Sequence, residues 1–188
     1  MGIEENTTDE RELVSRAQQD PDAFGELYAL YVDRIYRYVY HRVGNVYDAE
    51  DITSRTFFRA LSHIQNYEDK GYPFSAWLYR IAHNLLSNWH RDHKRRPTVS
   101  IDALVLPDKH ETRPETITLL DDDNLYLNEV IKELDARRQE LLFLKFVEGF
   151  SNAEIGEIMG KSEGAIKSLY HRTLLALRKS IIKRGLDL

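Results

Sequence analysis

At 188 residues the chain is long enough for one domain or two small ones, and its lack of cysteine excludes disulfide bonds, thiolate zinc sites and cysteine nucleophiles. It has no apolar run of about 18 residues, so no membrane span is expected, and its acidic, polar start lacks the apolar region of a secretory signal. We therefore expect a cytoplasmic protein, and the net charge of −5 gives it no general attraction to nucleic acid.

The charge is unevenly distributed along the chain. Residues 1–96 carry a net charge of −2, residues 97–123 carry −5, and residues 124–188 carry +2. One basic run lies at 91–96, and another lies at 161–184, where seven Lys and Arg residues accompany a single acid. Such local patches favour phosphate contacts at chosen places, while the acidic remainder predicts weak DNA binding without a protein partner.

The N-terminal part shows helical periods only. Asp-Pro at 20–21 predicts a helix start, since Asp is a good cap and Pro suits the first helical position. Apolar residues recur at helical spacing over 24–43, and Gly-Asn at 44–45 breaks that pattern. The next helix begins among three acids at 48–51, which complement the positive end of the helix dipole.

A polar loop, residues 65–72, separates that helix from the longest helical pattern of the chain. This pattern begins at Phe74, ends in the basic run and is stopped by Pro97. Trp77 and Trp89 fall on its apolar stripe, so we expect both to be core residues rather than wedges inserted between bases.

Residues 97–123 predict a flexible acidic linker, because they lack helical periodicity, contain three prolines and end in three aspartates. A second helical domain is expected from about Asn124. In it Asp135 is placed to cap a helix, and Gly149 is placed to end it. The apolar residues assigned to this region are Leu127, Val130, Ile131, Leu134, Leu141, Leu142, Leu144 and Phe146.

Residues 151–181 predict a helix, a tight turn and a second helix. Ser151 and Glu154 form a capping box for the first helix, Gly160 is placed to end it, and Ser162 caps the second. The apolar stripe of the second helix contains Ile166, Leu169, Thr173 or Leu174, Leu177 and Ile181. Four polar or basic residues lie away from that stripe, namely Lys167, Ser168, His171 and Arg172.

This arrangement is typical of a helix-turn-helix, in which the second helix enters the major groove of DNA. The alternative is a helical hairpin packed in a core with its charges solvated. The basic run favours DNA binding. The expected fold is therefore all-α, with helical domains at 1–96 and 124–188, the second a helix-turn-helix, joined by the linker at 97–123.

Three blocks of the sequence together resemble the small, two-domain bacterial sigma factors of the extracytoplasmic-function (ECF) type. DAEDITSRTFFRAL (48–61) resembles their signature helix, and FSAWLYRIAHNLLSNWHRDHKRR (74–96) their promoter-melting helix. Residues 137–179 resemble their second, upstream-element-binding domain. The resemblance implies a factor that binds core RNA polymerase, recognises −35 and −10 promoter elements and helps to melt the latter.

The resemblance also implies roles for individual residues. In the family, the signature helix docks on the β′ clamp helices of core polymerase. The residues that match it are Asp48, Glu50, Asp51, Arg55, Phe58 and Arg59. The β subunit is a further expected contact. An ordinary capped surface helix is the alternative. The −35 element is contacted from positions that match Lys167, Ser168, His171 and Arg172, by reading guanine or by clamping phosphate.

The loop at 65–72 matches the segment that captures an unstacked base of the −10 element. Asn66 and Gln65 can pair with a base edge, and Tyr67 and Tyr72 can stack on a base, or else the tyrosines pack on the domain. The following helix adds Arg80, His83, Asn84, Asn88 and Arg91, and its basic end adds Lys94, Arg95 and Arg96. The family often has more arginines and an acid where Ser87, Asn88 and His90 stand, which leaves the −10 preference open.

Promoter DNA and core polymerase are thus the expected partners, and an anti-sigma protein is implied by the resemblance alone. The linker is expected either to occupy the RNA exit path or to serve as a solvated tether. No cofactor and no enzymatic activity are expected, since no carboxylate pair is framed by a nucleophile or a phosphate loop. His90 and His93 lack a third zinc ligand at suitable spacing.

Two rival functions compete with the sigma-factor interpretation. A regulator that binds DNA by itself, with a LuxR-like C-terminal domain, fits residues 151–179 almost as well, but its receiver domain would alternate strands with helices. A helical adaptor without DNA binding is the other rival, and the basic helix ends argue against it.

Overall fold

A computed structural model of the chain describes residues 3–93 and 129–183. Within these ranges every regular element is a helix and no strand occurs, so the all-α prediction is confirmed. The chain divides into two compact units, one largely N-terminal and one largely C-terminal. The expected linker lies outside the described residues, as do Lys94, Arg95, Arg96, Asn124 and Leu127.

The N-terminal unit consists of four α-helices and two short 3-10 turns. In chain order they are α1 (Ile3–Gln19), a turn at Pro21–Ala23, α2 (Phe24–Val43), α3 (Val46–His63), a turn at Ile64–Asn66 and α4 (Phe74–His93). Helix α1 has no counterpart among the predicted elements. Its apolar stripe is short, since Val14 and Ala17 are the buried apolar residues described on it.

Local chemistry sets the ends of these helices. Asp20 Oδ1 accepts a hydrogen bond from the amide of Asp22 at 3.0 Å, and Gly44 ends α2 with a φ of 72°. The cap of α3 is Asn45, whose Oδ1 accepts from the amide of Asp48 at 2.8 Å. The acids at the start of α3 thus follow a neutral cap, and the expected break at residues 44–45 is confirmed.

The core of the N-terminal unit lies between α2, α3 and α4. The whole predicted stripe of α2 is buried: Phe24, Leu27, Tyr31, Ile35, Tyr38, Val39 and Val43. Tyr38 meets Tyr79 of α4 edge to face, with ring centroids 5.0 Å apart. The core assignment of the tryptophans holds only in part, because Trp77 and Trp89 are half-buried. Both lie at the border of the stripe.

The C-terminal unit begins with helical residues 129–132 and continues with α5 (Ala136–Leu142), which runs into a π-helical turn, Phe143–Val147. Helices α6 (Asn152–Met159) and α7 (Glu163–Lys183) follow. Asp135 caps α5, as predicted, by accepting from the amide of Arg138 at 3.0 Å. None of the helices in residues 3–93 and 129–183 is long and apolar enough to cross a lipid bilayer.

The core of this unit contains most of the predicted apolar residues, including Leu141, Leu144, Ile155, Ile158, Ile166 and Leu169. The expectation for Phe146 was wrong, since its side chain is 65% exposed. The π-helical turn has more residues per turn than an α-helix, so Phe146 leaves the predicted stripe while Leu144 stays buried. In α7 the stripe uses Thr173, which is buried, and leaves Leu174 41% exposed.

The turn between α6 and α7 has the predicted chemistry. The amide of Ser151 donates to Glu154 Oε2 at 2.6 Å, and the amide of Glu154 donates to Ser151 Oγ at 3.2 Å, which completes the capping box. Gly160 ends α6 with a φ of 62°, and the amide of Lys161 donates to the carbonyl of Gly156 at 2.8 Å. Ser162 caps α7 by accepting from the amide of Ala165 at 3.2 Å.

A close backbone approach in this turn generates a test. A Cβ at Gly156 would lie 2.7 Å from the carbonyl oxygen of Lys161, whereas nothing lies within 4 Å of a Cβ at Gly164. We expect Gly156→Ala to lower the free energy of unfolding by about 1–3 kcal/mol. Gly164→Ala should raise it by up to about 1 kcal/mol, since alanine favours helix.

Denaturant unfolding of both variants, followed by circular dichroism, measures the two changes. Equal effects of the two substitutions would contradict the role given to Gly156.

Candidate nucleic-acid interface

The exposed face of α7 brings together all four residues assigned to the −35 element. Lys167, Ser168, His171 and Arg172 are exposed, while Ile166, Leu169 and Thr173 are buried on the opposite side of the helix. Burial of that apolar side therefore fixes which side chains face outward. A helix that presents two cations, an imidazole and a hydroxyl on one face can contact phosphates and base edges in a major groove.

Both cations of this face have local partners. Lys167 Nζ lies 2.7 Å from Glu163 Oε1, and Arg172 Nε donates to the carbonyl of Ser168 at 3.2 Å. The sequence carries a signal for the ion pair, since a glutamate lies four residues before a lysine. Exposed pairs of this kind contribute about 0–1 kcal/mol, so DNA phosphate can replace the carboxylate at little cost.

The polar loop between α3 and α4 is held in shape by its own backbone and one carboxylate. The amide of Tyr67 donates to the carbonyl of Ile64 at 3.0 Å, and the amide of Gly71 donates to Asp69 Oδ1 at 2.7 Å. Gly71 takes a φ of 80°, which glycine adopts without strain. Asn66 is exposed at the start of the loop, so its amide is available to a base edge.

Tyr67 joins an aromatic cluster with residues of α4. Its ring centroid lies 5.3 Å from that of Phe74 and 5.0 Å from that of Trp77. The side chain is half-buried, and this burial, followed by the charges of Asp69 and Glu10, raises the pKa of Tyr67 to about 12. Tyr67 therefore packs on the N-terminal unit and still keeps part of its surface open, and Tyr72 is also half-buried.

Helix α4 continues this surface away from the loop. Along α4, Trp77 and Arg80 are half-buried and Asn84 is exposed. Asn88 and Arg91 are exposed one and two turns beyond Asn84. His83, which precedes Asn84, is half-buried. An aromatic cluster can stack on the base faces of a single strand of nucleic acid. The amides and guanidinium groups that follow can bind its base edges and phosphates.

The residues assigned to polymerase docking lie on α3. Glu50, Asp51, Arg55, Phe58 and Arg59 are exposed, and Asp48 is half-buried and accepts from the side chain of Asn45 at 2.6 Å. Arg55 Nη1 lies 3.2 Å from Asp51 Oδ2, one helical turn away. Phe58 is 71% exposed, so a large aromatic side chain stands among charges without cover in this unit. Such a residue is typical of a protein-binding surface.

Sequence reasoning missed two groups of residues. Gly156 makes the tight turn before α7 possible, and no capping or periodicity rule selects it. Gln18 and Arg11 of α1 contact the loop at 65–72 across more than forty residues of sequence, which no local pattern reveals. In the part of the chain that the structure describes, no group of three or more His, Asp or Glu side chains is arranged to hold a metal ion.

Comparisons with known proteins match both halves of the chain. The family Sigma-70 region 2 matches residues 27–96, and the family Sigma-70, region 4 matches residues 124–177. The ECF RNA polymerase sigma factor SigW of Bacillus subtilis is 36% identical over 172 residues, which cover 86% of this chain and 90% of SigW. The ECF RNA polymerase sigma factor BldN of Streptomyces coelicolor is 41% identical over 169 residues, which cover 89% of this chain.

The chain spans 64% of the length of BldN. The solved structure of CnrH in complex with the cytosolic domain of CnrY superposes with a TM-score of 0.65 at 20% identity. That superposition covers 94% of this chain and 99% of the other, and it shows a shared fold.

The environment of Tyr67 predicts a late step in the tyrosine titration. Because the pKa of Tyr67 is raised in the folded state, the free energy of unfolding falls as the pH rises from about 10 towards about 12. We expect Tyr67→Phe to remove one late component from the tyrosinate absorbance titration and to flatten the fall of unfolding free energy over that window.

The control is Tyr47→Phe, at a side chain that is 86% exposed, and it should leave the late component in place. An unchanged titration in Tyr67→Phe would show that Tyr67 is not the late-titrating group.

Proposed function

The chain belongs to the extracytoplasmic-function family of RNA polymerase sigma factors, which direct promoter-specific transcription initiation, and we propose how its residues divide that work. We assign residues 1–96 to a domain that binds core polymerase and recognises and melts the −10 element. Residues 124–188 form the domain that recognises the −35 element, and residues 97–123 are the linker between them.

The observation that carries this proposal is the exposed face of α7. Two cations, a hydroxyl and an imidazole lie on the exposed side of α7. The preceding turn and the cap by Ser162 fix where this helix begins. Lys167 and Arg172 supply the charge, and the exchange of Glu163 for phosphate lets Lys167 bind without a large penalty. Because the chain as a whole is acidic, this face alone binds DNA weakly and needs the polymerase to add affinity.

The loop at 65–72 and helix α4 take the −10 element. Asn66 meets a base edge, Tyr67 and Tyr72 offer ring surface to an unstacked base, and the amides and cations of α4 follow the strand. Stacking contributes about 1–3 kcal/mol per base, comparable with the cost of unstacking one, so melting needs no nucleotide hydrolysis. The acidic linker occupies basic surface on the RNA exit path until nascent RNA replaces it.

Helix α3 docks on the β′ clamp helices of core polymerase through Phe58 and the charges around it. The C-terminal unit also carries exposed apolar side chains, namely Phe146, Leu174, Leu175 and Ile182. Such side chains support protein partners for this unit, for which we propose the β subunit and an anti-sigma protein. The chain acts by binding and not by catalysis.

Promoter-directed run-off transcription tests the proposal. Purified chain and sigma-free core polymerase on sheared genomic DNA should give discrete starts that share two upstream motifs at fixed spacing. Replacing both Lys167 and Arg172 with alanine should abolish promoter selection and leave core binding intact, because both side chains lie on the exposed face of α7.

The matched control replaces Arg178 and Lys179 with alanine. Both side chains are exposed further along α7, and this double substitution removes the same amount of positive charge. Loss of core binding in the Lys167 and Arg172 variant would overturn this division of labour. Specific DNA binding without polymerase, with no transcription starts, would favour the stand-alone regulator.

The docking face on α3 has a separate test. Phe58→Ala should weaken core binding by about tenfold or more, since central aromatic residues dominate protein interfaces. The free energy of unfolding should stay within about 0.5 kcal/mol, because the side chain is exposed. Leu30→Ala on α2, at a side chain that is 55% exposed, is the control. Equal losses of core affinity in both variants would argue against α3 as the docking face.

A further inference from the structure

The first helix reaches the base-capture loop through one glutamine side chain. The amide nitrogen of Gln18 donates to the carbonyl oxygen of Ile64 at 3.1 Å and to that of Tyr67 at 2.8 Å. A primary amide carries two N–H donors, so both donors of Gln18 are used on the loop. The two carbonyls lie at either end of the 3-10 turn Ile64–Asn66, and Asn66 stands exposed between them.

A second contact from α1 lies further along the loop. Arg11 Nε is 3.0 Å from Asp69 Oδ2, and the other oxygen of Asp69 accepts from the amide of Gly71 at 2.7 Å. Arg11 and Gln18 are seven residues apart, which places them on one face of α1 about 10 Å from each other. The Arg11–Asp69 pair is exposed, with side-chain exposures of 62% and 42%, and therefore adds little stability.

Gln18 is the stronger of the two contacts because it is half-buried and holds backbone atoms. The Tyr67 carbonyl that it fixes belongs to the residue whose ring packs on Phe74 and Trp77. The backbone on both sides of Asn66 is thereby held by contacts within the protein. A loop fixed in advance spends less conformational entropy when it captures a base than a loop that must be ordered on binding.

We propose that Gln18 is a positioning residue for base capture, which holds the Ile64–Tyr67 backbone in the geometry that receives an unstacked base. This inference rests on the proposed function of the loop at 65–72. The role requires hydrogen-bond donors at position 18 and not merely a side chain of the right volume. Donor chemistry therefore distinguishes positioning from packing.

Three substitutions separate donor chemistry from packing. Gln18→Met keeps the length and helix propensity but has no donor. Gln18→Glu has no donor when ionised and turns a negative charge towards two carbonyl oxygens. Gln18→Lys restores donors on a flexible stem. Because lysine and glutamate also change the charge near DNA, the same two changes at Gln19, an exposed neighbour on α1, serve as matched controls.

The experiment uses holoenzyme assembled from core polymerase and the full chain, on the promoter identified by run-off transcription. A 2-aminopurine at the captured position of the non-template strand reports unstacking by its fluorescence. Loss of the two hydrogen bonds should reduce open-complex formation by about tenfold in Gln18→Met and by more in Gln18→Glu. Gln18→Lys and both Gln19 variants should stay within about twofold of the parent protein.

Two further readouts decide between positioning and packing. Core affinity of Gln18→Met should match that of the parent and its unfolding midpoint should fall only slightly, while amide hydrogen exchange should rise in the loop at 65–72 alone. Full activity of Gln18→Met would overturn the proposal, and so would a Gln18→Lys variant as weak as Gln18→Met. A parallel fall in core affinity and unfolding midpoint would assign Gln18 to packing instead.

A parent protein that transcribes but shows no fluorescence change would place base capture elsewhere and overturn the positioning role. A parent protein without transcription starts would refute the proposed function itself, and the positioning role would fall with it.

Discussion

Burial of the apolar side of a helix determines which of its side chains are exposed, and the functions proposed for α4 and α7 depend on those exposed side chains. Ile166, Leu169 and Thr173 pack inward from α7, so the residues proposed to bind DNA face outward. The same constraint acts on α4, where Leu78, Ala82 and Leu85 are buried opposite the amides and cations. The hydrophobic effect, which is not directional, thus produces directional recognition through the 3.6-residue period of the helix.

Features that depend on neighbours in sequence were predictable. The caps at Asp135, Ser151 and Ser162 follow from one residue type next to a helix start, and the stripe of α2 follows from spacing alone. Features that depend on geometry between distant segments were not. The π-helical turn that exposes Phe146 and the contacts of Gln18 have no local signal, because they arise from how elements pack and not from periodicity.

Spacing on an apolar stripe also predicted burial poorly for residues at the border of that stripe. Trp77 was expected in the core because its spacing fits, yet its ring extends past the edge of the stripe and packs on Tyr67. A large aromatic side chain can satisfy the helical period and still share its surface with solvent. The candidate −10 surface was therefore identified from its amides, cations and tyrosines, while Trp77 was assigned to the core.

The turn between α6 and α7 has a thermodynamic consequence for recognition. Its caps, the left-handed Gly160 and the close approach at Gly156 are all made by residues of the chain itself. Binding of the −35 duplex then requires no coupled folding of the helix-turn-helix. Its heat-capacity change should reflect the interface alone and remain small beside that of proteins whose recognition helix folds on the DNA.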